Sequence, residues 1–219
     1  MSLDRKSLAL FILSAYGPTI FAVIGSGAVV PLISLTARHL GASVGLAAFV
    51  TALLNIGKLI GDIPAGLIAD RIGEKWSIIA ASVMDAILLA TVFFFPKLWV
   101  LAVAICAVGM SNSVFNLARQ SYLTAVVPFK YRARAMSSLG GAMRIGNTIG
   151  PLIGSMLVGH FDIHYGFGFA ALMCIGAATV TIFLPDLPHM TIPQTLPYEP
   201  PRVPGQTRTP SLNQQPGWC

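Results

Sequence analysis

The sequence predicts an all-α membrane protein, a bundle of six transmembrane helices, and three observations predict it. Of 219 residues, 55% are hydrophobic and only 10% charged, where a soluble domain carries about 25% charged residues; the mean hydropathy is +0.74. The apolar residues collect in long runs, and about 20 of them in a helix cross about 30 Å of hydrocarbon. The basic residues fall between these runs rather than on one folded face. The net charge of +6 therefore reflects topology, and a nucleic-acid surface is not predicted.

Taken in order, the first span is expected over residues 8–36, too long for the apolar core of a cleaved signal peptide. Charge and turn residues then delimit spans at 46–69, 76–95, 98–127, 137–159 and 167–184. In the connections, Arg5, Lys6, Arg71, Lys75, Lys130, Arg132 and Arg134 lie on one side and only Arg38 and Lys97 on the other. Cytoplasmic loops are enriched in Lys and Arg, so residues 1–7 are expected to be a cytoplasmic N-terminus, and six crossings return the chain to the cytoplasm. His39 and Asp162 are expected outside. Residues 185–219 are proline-rich and without helical or strand periodicity, which predicts a disordered or extended cytoplasmic tail or a truncated linker. The whole is expected to be a multi-pass protein of the plasma (inner) membrane, with residues 8–184 as its membrane domain.

Little in the sequence points to catalysis. Cys106 and Cys174 lie inside apolar runs and Cys219 ends the chain, so free thiols rather than a disulfide framework are expected. Neither CxxC nor HExxH spacing occurs, and no metal or cofactor is predicted. Gly109-Met110-Ser111-Asn112 offers a serine at membrane depth, but His39, His160, His164 and His189 all fall in loops or the tail. A serine nucleophile needs a base within reach, so an intramembrane protease is rejected and no enzyme is predicted.

Two motifs carry the functional reading. Gly66-Leu67-Ile68-Ala69-Asp70-Arg71-Ile72-Gly73-Glu74-Lys75 joins the second and third spans on the cytoplasmic side. In it Gly66 suits a close helix approach, Gly73 a tight turn, and Asp70 is a carboxylate at the membrane edge that needs a cation. This loop resembles the signature loop of the major facilitator superfamily, departing from it at Glu74, where that family usually has a basic residue. The fifth span contains Gly146-Asn147-Thr148-Ile149-Gly150-Pro151-Leu152-Ile153-Gly154-Ser155, similar to the motif of the antiporter members, with Ser155 in place of the final glycine. Glycines four apart line one helix face, and Pro151 can bend the span. The resemblance covers residues 8–184. It implies one six-helix half of a transporter that works by alternating access, closest to the proton-coupled exporters of drug-like molecules. Arg119 near the cytoplasmic end of the fourth span would then meet Asp70 as an inner gate, with Arg71 and Lys75 beside it. Ile105 occupies the place where the family usually has an arginine in this span, which puts that arginine's proton-relay role in doubt here.

Four further ionisable residues interrupt the spans: Lys58, Asp62, Asp85 and Arg144. Each costs about 2.5–3.5 kcal/mol at the bilayer centre, which predicts pairing inside the bundle. Lys58 and Asp62 share a helix face. Asp85 and Arg144 lie about 13 Å and 12 Å from the cytoplasmic ends of their spans, which predicts a cross-helix pair with Asp85 as the proton carrier. The expected partners are the lipid bilayer, a small-molecule substrate, protons, and either a second six-helix half or another copy of the chain. The competing expectation is a truncated, regulatory or structural membrane protein without transport of its own.

Overall fold

The computed structural model describes residues 5–127, 129–160 and 162–183, with the side chains of 5–16, 126, 129–131 and 160 outside that description. The expected tail and the extreme N-terminus thus lie outside the described residues. Among the described residues six helices follow one another: α1 Arg5–His39, α2 Val44–Ile72, α3 Glu74–Phe94, α4 Leu98–Val126, α5 Phe129–His160 and α6 His164–Ile182. No strand occurs among the described residues. Each expected span falls on one helix.

The main displacement is at α5, which starts at Phe129 rather than at 137. Sequence reading takes the basic residues 130–134 as a loop, but arginine is a good helix former. The Arg132 guanidinium Nε also donates to the Val127 carbonyl at 3.1 Å, where α4 leaves its last acceptors open. Among the described residues, five helices are long and apolar enough to cross a membrane by length and composition. The exception is α5, whose length matches its neighbours but whose exposed residues include Arg144, Asn147 and Thr148.

The short connections have local causes. α2 and α3 are joined by Gly73 alone, at φ 87° and ψ 156°, a backbone region that side chains with a Cβ rarely adopt. Its N–H caps α2 at the Ala69 carbonyl, 2.9 Å away, and its own carbonyl accepts from Ser77 N–H at 3.0 Å to open α3. At the N-terminal end of α2, the Ser43 hydroxyl accepts from Leu46 N–H at 3.2 Å and caps the helix.

Helix packing repeats with a shift of three. α1 packs mainly against α5 and α6, and α4 correspondingly against α2 and α3, while α3 and α6 pack on each other. That pattern is what two inverted three-helix repeats would give. A larger apolar core, with Ile33, Val50, Leu101, Ile105 and Phe167 fully buried, is separate from a smaller one at Ile78, Phe115, Ala118 and Tyr122.

Both equivalent seams are glycine-lined. Between α1 and α5, a methyl group at Gly150 would come within 2.8 Å of the Gly27 backbone and Ala28 N, one at Gly146 within 2.7 Å of Val23 Cγ1, and one at Gly154 within 2.9 Å of the Ala28 carbonyl. Between α2 and α4, a methyl at Gly57 would collide with the Cys106 carbonyl, one at Gly109 with the Leu54 carbonyl, and one at Gly61 would meet Met110 Cα at 2.6 Å. Small residues let membrane helices approach until backbone touches backbone, and packing then replaces the missing hydrophobic drive. Gly66 does not serve this purpose: a Cβ there would meet only Leu117 Cδ2 at 3.9 Å, so the expected close approach lies at Gly57 and Gly61 instead.

Candidate functional site

The outer surfaces of the bundle differ in chemistry. On α3 and α6 the exposed large hydrophobic residues within the spans are Val83, Met84, Ile87, Leu172, Ile175 and Ile182, with the aromatic residues Trp76, Phe94 and Tyr165 toward the ends. Hydroxyls on these faces are satisfied internally, Thr91 at the Ile87 carbonyl and Thr179 at the Ile175 carbonyl, each at 2.8 Å. Aromatic rims around an apolar band are the signature of a lipid-facing surface. In contrast, Asn55, Lys58 and Asp62 are exposed on α2, and Arg144, Asn147 and Thr148 on α5. The expectation that Lys58, Asp62 and Arg144 turn into the bundle is therefore corrected. They lie on the side that α2 and α5 flank, where a lipid contact would carry the full insertion cost.

On that side a cavity of about 220 Å³ lies among α1, α2, α4 and α5, lined by Asn55, Lys58, Asn112, Phe115, Asn116, Arg119, Met143 and Asn147 among others. α4 supplies a polar ladder at i, i+4 and i+7. Asn116 Nδ2 donates to the Asn112 carbonyl at 2.7 Å, and Arg119 Nη2 donates to Asn116 Oδ1 at 2.9 Å and to Met143 Sδ at 3.2 Å. The guanidinium also lies 5.7 Å from the centre of the Phe115 ring, within cation–π range. Arg119 is only 4% exposed, and its Nε and Nη1 have no partner.

A second, smaller cavity of about 40 Å³ shares Ala22, Ser26, Val30, Leu54, Asn112 and Phe115 with the first and is also lined by Ser82, Asp85 and Cys174. Asp85 is 7% exposed and its Oδ1 has no partner. A serine hydroxyl has one proton to give. Ser82 donates its proton to the Ile78 carbonyl at 2.8 Å, and Ser111, beside Asp85, gives its own to the Ala81 carbonyl at 2.9 Å.

The structure places the expected pairs as follows. Asp85 is buried toward α1, α4 and α6, while Arg144 is exposed on α5, so the Asp85–Arg144 pair is not formed. Depth along two helices fixes height but not adjacency: α3 packs on α4 and α6, while α5 packs mainly on α1. Asp62 accepts the Ser113 hydroxyl from α4 rather than pairing with Lys58, and Lys58 lines the larger cavity. Asp70 and Arg71 are exposed in the last turn of α2, and Arg119 bonds to Asn116 and Met143 instead of Asp70. Ile105 sits fully buried in the apolar core. The four asparagines of the cavity and Ser113 were missed in the sequence. Asn112 and Asn116 at helical spacing with Arg119 are the signal that could have found them.

The chain matches the Major Facilitator Superfamily over residues 18–212. It belongs to that family, a class of membrane transporters. Among curated proteins it is similar to the multidrug resistance proteins MdtG of Citrobacter koseri and Salmonella arizonae, at 26% identity over 173 residues in each case. Each alignment covers 77% of this chain and 41% of the relative, so the chain spans less than half the length of these relatives.

Proposed function

We propose that the chain is a six-helix transport half that exports a small amphipathic molecule in exchange for protons by alternating access. A second six-helix half, or another copy of the chain, would supply the facing wall. The observation that carries this reading is the asymmetry of the surface: Lys58 lines a polar cavity, Asp62 and Arg144 are exposed on the same two helices as the cavity residues Lys58 and Asn147, and α3 and α6 present apolar residues. A charged face flanking a cavity suits a water-filled path closed by protein, not lipid. The similarity to proteins named for multidrug resistance supports the substrate class.

In this reading Asp85 is the proton carrier, a carboxylate enclosed in a chamber that adjoins the substrate cavity. The signature loop of Gly66, Asp70, Arg71, Gly73 and Lys75 stands at the inner end, and Asp70 becomes the acceptor of Arg119 when that end closes. Gly146, Gly150, Pro151 and Gly154 seal α5 against α1. The termini are cytoplasmic, and the membrane is the inner or plasma membrane.

The test is flux. The purified chain is weighed in mild detergent and then reconstituted in liposomes holding a pH-sensitive dye. Proton movement that saturates with an added amphiphile and is lost in Asp85→Asn is the expected result. A monodisperse assembly that moves no protons above empty liposomes contradicts the transport reading and leaves a structural or regulatory role.

A further inference from the structure

We infer that the cavity between Lys58 and Arg119 binds an anionic group, so that the molecule transported is an amphiphile carrying a carboxylate, phosphate or similar anion; this deepens, and rests on, the transport reading above. The charge inventory of the cavity is one-sided. Its lining includes two cations, Lys58 and Arg119, and four amides, Asn55, Asn112, Asn116 and Asn147, but no carboxylate. The aspartates of the spans and the inner loop are engaged or placed elsewhere: Asp62 takes the Ser113 hydroxyl, Asp70 is exposed at the loop, and Asp85 lines the smaller chamber.

Arg119 adds the second, independent observation. It is more than nine-tenths buried, and its nitrogens Nε and Nη1 lack any acceptor. An arginine does not lose its proton in a protein, so these donors stay charged and call for an acceptor. The partners it does have, Asn116, Met143 and the Phe115 ring, all line the same cavity. They hold the guanidinium there without neutralising it. Phe115, Ala22, Val23 and Val30 supply an apolar wall for the rest of the ligand. Charge-assisted bonds from a guanidinium to carboxylate or phosphate oxygens are about twice as strong as neutral ones. Lys58, at the exposed rim, would attract the anion over a longer range.

The same chemistry exists in a phospholipid headgroup, so the experiment separates the two sources. The full chain is placed in nanodiscs of phosphatidylcholine and titrated with 1-naphthyl phosphate and with 1-naphthylmethylammonium, which share an aromatic body and differ in head charge. Saturable binding of the phosphate, at least about tenfold tighter than that of the ammonium and weakening with salt, is expected. Arg119→Gln should weaken it about tenfold or more, with Arg119→Lys recovering part of the loss. Lys58→Gln, on an exposed residue that leaves the fold intact by circular dichroism, should weaken it by a smaller factor. Equal or tighter binding of the ammonium, or unchanged phosphate affinity in folded Lys58→Gln and Arg119→Gln proteins, overturns the inference. Replacing a third of the lipid by phosphatidylglycerol should leave the affinity within about threefold. Complete competition by that lipid would make the headgroup the occupant and also overturn it. The readout is equilibrium binding, so its failure leaves the transport reading standing, and absence of flux in liposomes leaves the anion site standing.

Discussion

The seams α1–α5 and α2–α4 occupy equivalent places in the two three-helix repeats and are built from the same residue type, yet they differ in how closely the backbones meet. At Gly57 and Gly109 an added methyl would collide directly with the carbonyl of Cys106 or Leu54, while at Gly150 it would meet Gly27 and Ala28 at 2.8 Å. The α2–α4 seam is the most extensive helix contact in the bundle, and α5 has little contact beyond α1. The lesson is that the seam bearing a recognisable motif is the looser one. α5 is held mainly along one side and shows charge on its open face, as suits an element that moves. α2 is locked to α4, the helix that carries Arg119.

The most severe way to break this comparison is at the tighter seam. Gly57→Leu or Gly61→Leu should cost more than about 3 kcal/mol, because overpacking against backbone has no side chain that can give way. The measurement is thermal unfolding and yield in detergent, and near-wild-type unfolding would show the seam to be less tight than it is here. Gly150→Leu should cost about 1–3 kcal/mol, less than either, since α5 can shift away from α1 toward the open side. A loss at Gly150 equal to that at Gly57 would erase the distinction between a fixed and a movable helix.

The open faces of the same helices sharpen it further. Asp85→Asn and Arg144→Gln should change unfolding independently, the double variant adding within about 0.5 kcal/mol, because the two groups share no partner. A coupling above that value would restore the cross-helix pair that the geometry separates. Gly66→Ala should have the smallest effect, within about 0.5 kcal/mol, at a position with ordinary contact distance to its neighbour. A larger loss would put a close approach at the signature glycine after all.

How much of this was legible in the sequence depends on what each signal measures. Apolar run length located the six helices, because crossing hydrocarbon imposes a length, and the need for positive φ pointed to the turn at Gly73. Rise per residue places Arg119 seven residues from the C-terminal end of α4, but position along a helix is one coordinate. Which residues meet depends on the rotation of each helix, and that is set by packing. Height alone matches Asp85 with Arg144, but α3 packs on α4 and α6 and α5 mainly on α1, so the two are not brought together. The Gly57–Gly61 spacing carries the same small-residue signal as Gly146–Gly150, but small residues four apart are common in membrane helices and single out no seam by themselves. The cavity asparagines were overlooked for a related reason: uncharged, they carry a lower insertion cost and announce themselves less.

The central claim is that the face flanked by α2 and α5 is a watered path and that the face of α3 and α6 meets lipid. It is tested most directly by accessibility in native membranes. With Cys106, Cys174 and Cys219 replaced, single cysteines are placed at Lys58, Asn116 and Asn147 on one face and at Val83, Ile87 and Ile175 on the other. Each is then reacted with a charged, membrane-impermeant maleimide in membranes opened to both sides. The account predicts labelling at the first three positions, slowed by 1-naphthyl phosphate at Asn116, and none at the second three. Equal labelling of both sets, or reaction at Ile87 and Ile175 with protection at Lys58 and Asn147, would contradict it.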